Sequence, residues 1–211
     1  MKPFLLVLSS PSGGGKTSIA RRLLEDRGDL GYSVSATTRP MRERERDGLD
    51  YHFLTHEEFL RRRDAGAFLE WATYGGQLYG TLRAEVEHVL GQGKNAVLDI
   101  EIEGARQLRA NFPNALHLFV IPPSAGVLIE RLVGRNTDAT AAVRERIARA
   151  GDELAAVTEY DYAIVNDNLA HAVAQVKSIL DAEALRVARQ DGLPELVERL
   201  RRGVREAAEK I

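Results

Sequence analysis

The chain has 211 residues, of which 44% are hydrophobic and 28% charged. That is enough apolar material for one domain with small insertions, and too much for general disorder. The formal net charge of −2 gives no global attraction to nucleic acid or anionic membrane, so any anion site must be local. The absence of cysteine excludes disulfides, thiolate catalysis and cysteine-ligated zinc, and suits a cytoplasmic setting.

The first element is the apolar run Phe4–Leu8. It is too short for a signal peptide's apolar region, and no stretch reaches membrane-spanning length. It leads into Ser9-Ser10-Pro11-Ser12-Gly13-Gly14-Gly15-Lys16-Thr17, followed by the helical pattern Ser18-Ile19-Ala20-Arg21-Arg22-Leu23-Leu24. Buried strand, glycine-rich turn and helix, in that order, are what a phosphate-binding P-loop requires. Glycines let backbone N–H groups converge on phosphate oxygens, and the helix N-terminus adds a favourable dipole. Residues Ser10, Pro11, Ser12, Gly13, Gly14, Gly15, Lys16, Thr17 and Ser18 are therefore the candidate triphosphate-binding set. Lys16 reaches for the β/γ-phosphates and Thr17 for Mg²⁺. The general pattern begins with glycine, and here Ser10 stands in its place.

Further along, Ala96–Leu98, Leu116–Ile121 and Ala163–Val165 are short aliphatic runs of the kind buried on both faces of a parallel sheet. Helical stretches between them supply the crossovers. Two regions break this rhythm. From about 35 to 82 there is a charged loop and short β-like pieces at Asp50–Phe53, Phe68–Thr73 and Gln77–Tyr79, with a short helix opened by the capping-box pair Thr55 and Glu58. From about 127 to 159 the chain is helical and arginine-rich, as a mobile flap would be. Asn168 reads as the N-cap of a following helix. The last helix, after Gly192-Leu193-Pro194, reads as a solvated arginine-rich face. The five histidines, without metal-ligand spacing, read as surface or satisfied residues. The expected fold class is α/β: a P-loop parallel sheet with helices on both faces, a small β-rich insertion and a helical lid. The expected division is a core of residues 1–34, 83–126 and 160–211, an insertion of 35–82 and a lid of 127–159.

Several motifs in fixed order carry a family resemblance. They are Ser33-Val34-Ser35-Ala36-Thr37-Thr38-Arg39-Pro40-Met41-Arg42, Asp47-Gly48-Leu49-Asp50-Tyr51-His52-Phe53, Gly66-Ala67-Phe68-Leu69-Glu70-Trp71-Ala72 and Tyr79-Gly80-Thr81. They are followed by Leu98-Asp99-Ile100-Glu101-Ile102-Glu103-Gly104-Ala105, Arg131-Leu132-Val133-Gly134-Arg135-Asn136-Thr137 and Tyr160-Asp161-Tyr162-Ala163-Ile164-Val165-Asn166-Asp167. Over about residues 3 to 182 the chain closely resembles guanylate kinase.

The resemblance implies ATP as donor, GMP and dGMP as acceptors, Mg²⁺ as cofactor, and no nucleic-acid or membrane partner; oligomeric state stays open. The side chains suit those roles. Arg39 and Arg42 can grip the acceptor phosphate with forked donors, and Tyr51 and Tyr79 can add hydroxyl bonds. Glu70 can accept both N1–H and N2–H of guanine and so reject adenine, with Ser35 and Thr81 completing the base contacts. Asp99 stands where a Walker-B-like acid lies near Mg²⁺ or its water shell, and Glu101 points to the same side. In the resembled family, lid arginines neutralise the transferring phosphoryl group, and Arg131, Arg135 and Arg146 match them; Asn166 matches a position near the adenine. Lys16, Arg39, Arg131, Arg135 and Arg146 are thus the candidate catalytic set. Arg144 and Arg149 have only the reading of a solvated helix face. The chain departs from the family pattern at Ser10, at Glu101 (usually Asp), at Glu103 (commonly Gln) and at Asn136 (commonly Gly). A non-catalytic scaffold for phosphorylated peptides and a sugar-phosphate kinase are the rival readings.

Overall fold

A computed structural model describes residues 2–134 and 140–209, with side chains described from 144 onward in the second segment. Arg135 and Asn136 lie outside the described residues. The central sheet has five parallel strands in the order β2-β7-β1-β8-β9, where β1 is Leu5–Ser9, β2 Leu30–Tyr32, β7 Asn95–Asp99, β8 Leu116–Ile121 and β9 Tyr162–Val165. All five residues of β1 are buried, and alternation sends them to opposite faces. Leu6 and Leu8 pack with Ile19 and Leu23 of α1 (Lys16–Asp26) and with Val173, Val176 and Leu180 of α7 (Leu169–Ala184). Leu5 and Val7 pack on the other side with Val86 and Val89 of α3 (Arg83–Gly91) and Leu108 of α4 (Ile102–Asn111). Leu6 is fully buried, and Leu6→Ala should cost about 2–5 kcal/mol through lost transfer energy and the cavity left behind.

A second sheet of four strands has the order β4-β3-β6-β5: β3 Ser35–Thr37, β4 His52–Phe53, β5 Phe68–Tyr74 and β6 Gln77–Leu82. Its core face carries Ala36, Phe68, Leu78 and Leu82 and is covered by Phe59 of α2 (His56–Asp64), whose ring stacks on Phe68 at 4.4 Å. The register aligns Ser35 with Thr81 and Thr81 with Glu70, past a bulge between Phe68 and Glu70. Three polar residues distant in sequence thereby form one row across neighbouring strands.

α5 (Ala125–Val133) and α6 (Thr140–Leu154) pack through Leu128, Leu132 and Ala150. Helix starts follow their caps: Thr55 Oγ1 accepts from Glu58 N at 3.1 Å, and Asn168 Oδ1 accepts from His171 N at 3.1 Å. The capping box expected at Thr55 is half made, because the Glu58 carboxylate takes Arg61 and Arg62 of its own helix instead. The final helix α8 (Leu193–Ala208) buries none of its residues, and Leu196, Val197, Leu200 and Val204 are exposed beside its arginines. The histidine expectation fails at position 117. His117 is buried under Tyr160, its Nε2 has no hydrogen-bond partner, and burial pushes its pKa down to about 4. No helix among the described residues is long and apolar enough to cross a membrane.

Candidate functional site

The site forms where the central sheet's order turns around β1, with β7 on one side and β8 on the other. Loops leaving the carboxyl ends of strands on either side of such a point leave a crevice between them. The loop after β1 is the glycine-rich segment, with positive φ at Gly13 (84°) and Gly15 (96°). Gly14 N donates to Pro11 O at 2.8 Å. Ser10, in place of the first glycine, is buried, and its hydroxyl donates to Pro11 O at 2.9 Å. A methyl on Gly14 would lie 2.6 Å from Ser10 Cβ, so the bulkier residue at 10 depends on glycine at 14. Asn166 Nδ2 donates to Gly14 O at 3.3 Å, and Arg131 Nη1 lies 3.4 Å from the same oxygen. Both predicted donor-side residues rest on the loop backbone. Pro11 is buried, whereas Thr17 and Ser18 open to solvent at the start of α1.

The loop after β7 carries the acids. Lys16 Nζ lies 3.0 Å from Glu101 Oε1 and 3.7 Å from Asp99 Oδ1, and Thr17 Oγ1 donates to Asp99 Oδ2 at 2.6 Å. Burial works against the Lys16 charge, but Glu101 and Asp99 more than offset it and hold the ammonium protonated. Burial pushes the Asp99 carboxyl up, against the pull of Lys16 and Thr17. Asp99 Oδ1 and Glu101 Oε2 are buried without hydrogen-bond partners, so two carboxylate oxygens remain for a ligand.

Across a narrow cleft of ≈ 50 Å³ stands the row from the second sheet. Lys16, Thr17, Asp99 and Glu101 line one side, and Ser35, Tyr51, Glu70 and Tyr79 the other. Glu70 is 5% exposed, and Thr81 Oγ1 donates to its Oε1 at 2.6 Å. Burial raises the Glu70 pKa to about 7, with the Thr81 bonds opposing. Gly104 at the start of α4 has no side chain because one would overlap the Glu70 carboxylate. Gly104 belongs to the site for that reason, although its position in the sequence gives no sign of it.

The arginines are less gathered. Arg39 lies 5.3 Å from the centre of the Tyr51 ring, but both its Nη atoms bind the Glu45 carboxylate at 2.8 Å. Those bonds raise the Arg39 pKa and hold Glu45 below the usual carboxylate range. Glu45, an acid of the charged loop, is therefore a partner of a predicted site residue. Arg42 is exposed, and neither it nor Arg39 lines the cleft. Arg146 is half-buried on α6. The solvated reading of Arg149 does not hold: its guanidinium sits 5.0 Å over the Tyr74 ring. A larger cavity of ≈ 1040 Å³ opens among Lys2, Phe4, Leu116, Tyr162 and Arg189. It contains none of the predicted site residues and lies at the amino ends of β1, β8 and β9, away from the crevice where ligands of such sheets bind.

A family model described as guanylate kinase matches residues 2–183. A guanylate kinase of Thermotoga maritima is 46% identical over 90% of this chain and 91% of its own length. One of Sphingopyxis alaskensis is 44% identical over 98% and 94%. The crystal structure of a guanylate kinase from Anaplasma phagocytophilum superposes with a TM-score of 0.77, at 34% identity, over 93% of this chain and 94% of that one. The phosphate-loop cleft thus sits within a likeness that runs nearly end to end in both sequence and fold, and the chain belongs to the guanylate kinase family of nucleotide-binding kinases.

Proposed function

We propose that this protein transfers the γ-phosphoryl group of ATP to GMP, giving ADP and GDP, and accepts dGMP as well. One observation carries the reading: a phosphate loop with its lysine, and a buried carboxylate backed by threonine, face each other across a single cleft. The first suits a triphosphate. The second suits a base edge with two N–H donors, which guanine has and adenine lacks. Phosphoryl transfer asks little covalent chemistry of a protein; alignment and charge neutralisation supply most of the effect.

We assign the site residues their parts on this reading. Lys16, now held by Glu101, exchanges that carboxylate for phosphate oxygens. Ser10 to Ser18 cradle the triphosphate, with Arg131 and Asn166 on the loop's backbone and Arg135 and Arg146 adding positive charge from the lid. Ser35, Glu70, Thr81 and Glu101 hold the nucleoside, and Arg39, Arg42, Tyr51 and Tyr79 its phosphate. For the last role Arg39 must trade or share Glu45. The donor set also fits a hydrated divalent cation. Thr17 and Asp99 are adjacent, and Asp99 Oδ1, near Lys16, has no hydrogen-bond partner. No cluster of three acidic or imidazole ligands exists among the described residues, as suits Mg²⁺, which keeps waters and takes phosphate oxygens. When bound there, through Thr17 and Asp99 directly or by way of water, Mg²⁺ would neutralise phosphate charge. We assign the core to 1–34, 83–126 and 160–211, the GMP-binding part to 35–82 and the lid to 127–159, in a cytoplasmic enzyme of purine nucleotide metabolism.

The test is ADP release measured with GMP, dGMP, AMP, UMP and a ribose bisphosphate as acceptors. GMP and dGMP should support turnover, and the other three little or none. Turnover with the bisphosphate and none with GMP would make the protein a sugar-phosphate kinase; no turnover with any acceptor would point to a binding module.

A further inference from the structure

Helix α6 touches both sides of the cleft through residues that its role as an arginine carrier does not require. Glu153 Oε2 accepts a hydrogen bond from Ser12 N, in the phosphate loop, at 2.9 Å across 141 positions of sequence. One turn earlier Arg149 lies 5.0 Å over the ring of Tyr74, in β5 of the second sheet. Tyr74 lines the cleft, meets Tyr79 edge-on at 6.5 Å, and its phenol also meets the side chains of Ser12 and Arg149. Arg146, Arg149 and Glu153 are spaced three and four apart, so they share one face of the helix. Donor loop, lid helix and acceptor sheet therefore meet around Ser12. Glu153 and Tyr74 are half-buried, which strengthens both contacts relative to solvent-exposed ones.

We propose that Glu153 and Arg149 are positioning residues that dock the lid on the phosphate loop and on the acceptor strand at once, so that the three parts close as one unit and Arg146 is aimed at the transferring group. The inference rests on the phosphoryl transfer proposed above. Glu153 holds a backbone amide of the loop, Arg149 holds the acceptor hairpin, and Arg146 stands two turns from Glu153 on the same face. A lid without these contacts would still carry its arginines but would no longer sense whether the acceptor sheet is in place.

The experiment measures GMP-dependent and GMP-independent ADP release, with thermal melting as a check on folding, for Glu153→Ala, Glu153→Gln, Arg149→Ala, Tyr74→Leu and the double variant Glu153→Ala/Arg149→Ala. The alanine variants and Tyr74→Leu should each lower kcat about tenfold and raise the share of ADP released without GMP. Glu153→Gln should stay within about threefold of wild type, because its carboxamide oxygen still accepts the Ser12 N–H. The double variant should be little worse than either single change, since both break one docking event. Wild-type kcat and KM in Glu153→Ala, or fully additive losses in the double variant, would overturn the proposal. If Glu153→Ala fails to fold, Arg149→Ala and Tyr74→Leu decide it alone. If the wild-type protein does not phosphorylate GMP, the proposed reaction falls, and the docking is then judged by amide hydrogen exchange without substrate. Glu153→Ala should speed exchange both in residues 73–77 and in 144–154, and unchanged exchange in either segment refutes the docking.

Discussion

The two sides of the cleft are assembled in different ways. The proposed donor side is built on one local segment: nine consecutive residues form the loop, and its lysine and threonine already meet the acids of the loop after β7, with Lys16 3.0 Å from Glu101 and Thr17 bonded to Asp99. The acceptor side is built by strand register, which brings Ser35, Glu70 and Thr81 into one row from three strands. The arginines proposed for its phosphate do not line the cleft: Arg39 is engaged by Glu45 and Arg42 is in solvent. On the proposed reading, a preformed anion cradle thus faces an acceptor pocket whose base-binding residues are gathered and whose phosphate-binding arginines are not. The difference follows from charge: a lysine beside two acids finds partners within its own crevice, whereas an arginine in a loop of alternating charges finds a nearer carboxylate.

Changes on the two sides should separate accordingly. The largest effect belongs to the donor side. Lys16→Ala should lower kcat by about a thousandfold or more, because a preorganised charge on the transferring group is lost. Steady-state rates at saturating ATP and GMP measure it, and a loss below tenfold would remove Lys16 from the chemistry. Next, Glu70→Ala should reduce the preference for GMP over AMP in kcat/KM by about a hundredfold, with the KM for ATP little changed. An unchanged preference would mean that the base is read elsewhere. Gly104→Ala should act on the acceptor side alone, raising the KM for GMP about tenfold by pushing the Glu70 carboxylate out of place. An equal rise in the KM for ATP would contradict that separation.

The pH dependence is smaller and has a definite sign. With its pKa near 7 in the folded protein, Glu70 is half protonated at neutrality, and only the carboxylate accepts both guanine donors. The KM for GMP should therefore fall several-fold between about pH 6 and pH 8, beyond the trend that GMP's own phosphate leaves in Glu70→Gln. The same raised pKa affects stability in the opposite sense. Its contribution is fully present below about 4.5 and lost as pH rises through about 7. The smallest effect lies outside both sides. His117 has a depressed pKa, so its contribution to stability is present above about 6.5 and lost as pH falls through about 4. Denaturant melts over that window should show a slope that His117→Gln reduces.

The strands at Phe4, Ala96 and Leu116, the phosphate loop and the caps at Thr55 and Asn168 are legible in the chain because each is a local pattern: an apolar run, a glycine spacing, or a side chain reaching three residues ahead. β2 was not, since three residues containing Gly31 carry no apolar run. Nor does any local pattern give the partnership of Glu45 with Arg39, the reach of Glu153 to Ser12, the place of Arg149 on Tyr74, or the need for glycine at 104. Asp99 is read as an acid near a phosphate loop from position alone, but its 2.6 Å bond to Thr17 and the buried oxygen left without a hydrogen bond are facts of packing.

The sequence by itself determined the phosphate loop, the strand-and-helix order of the α/β class and the family motifs, because these depend on residue type and spacing within short segments. Only the tertiary structure decided which polar residues share a dielectric and a direction. Strand register gathered Ser35, Thr81 and Glu70, burial moved the Glu70 pKa to about 7, and helix packing put Glu153 on the loop's backbone. Those outcomes depend on distance and burial, which are set when the whole chain packs.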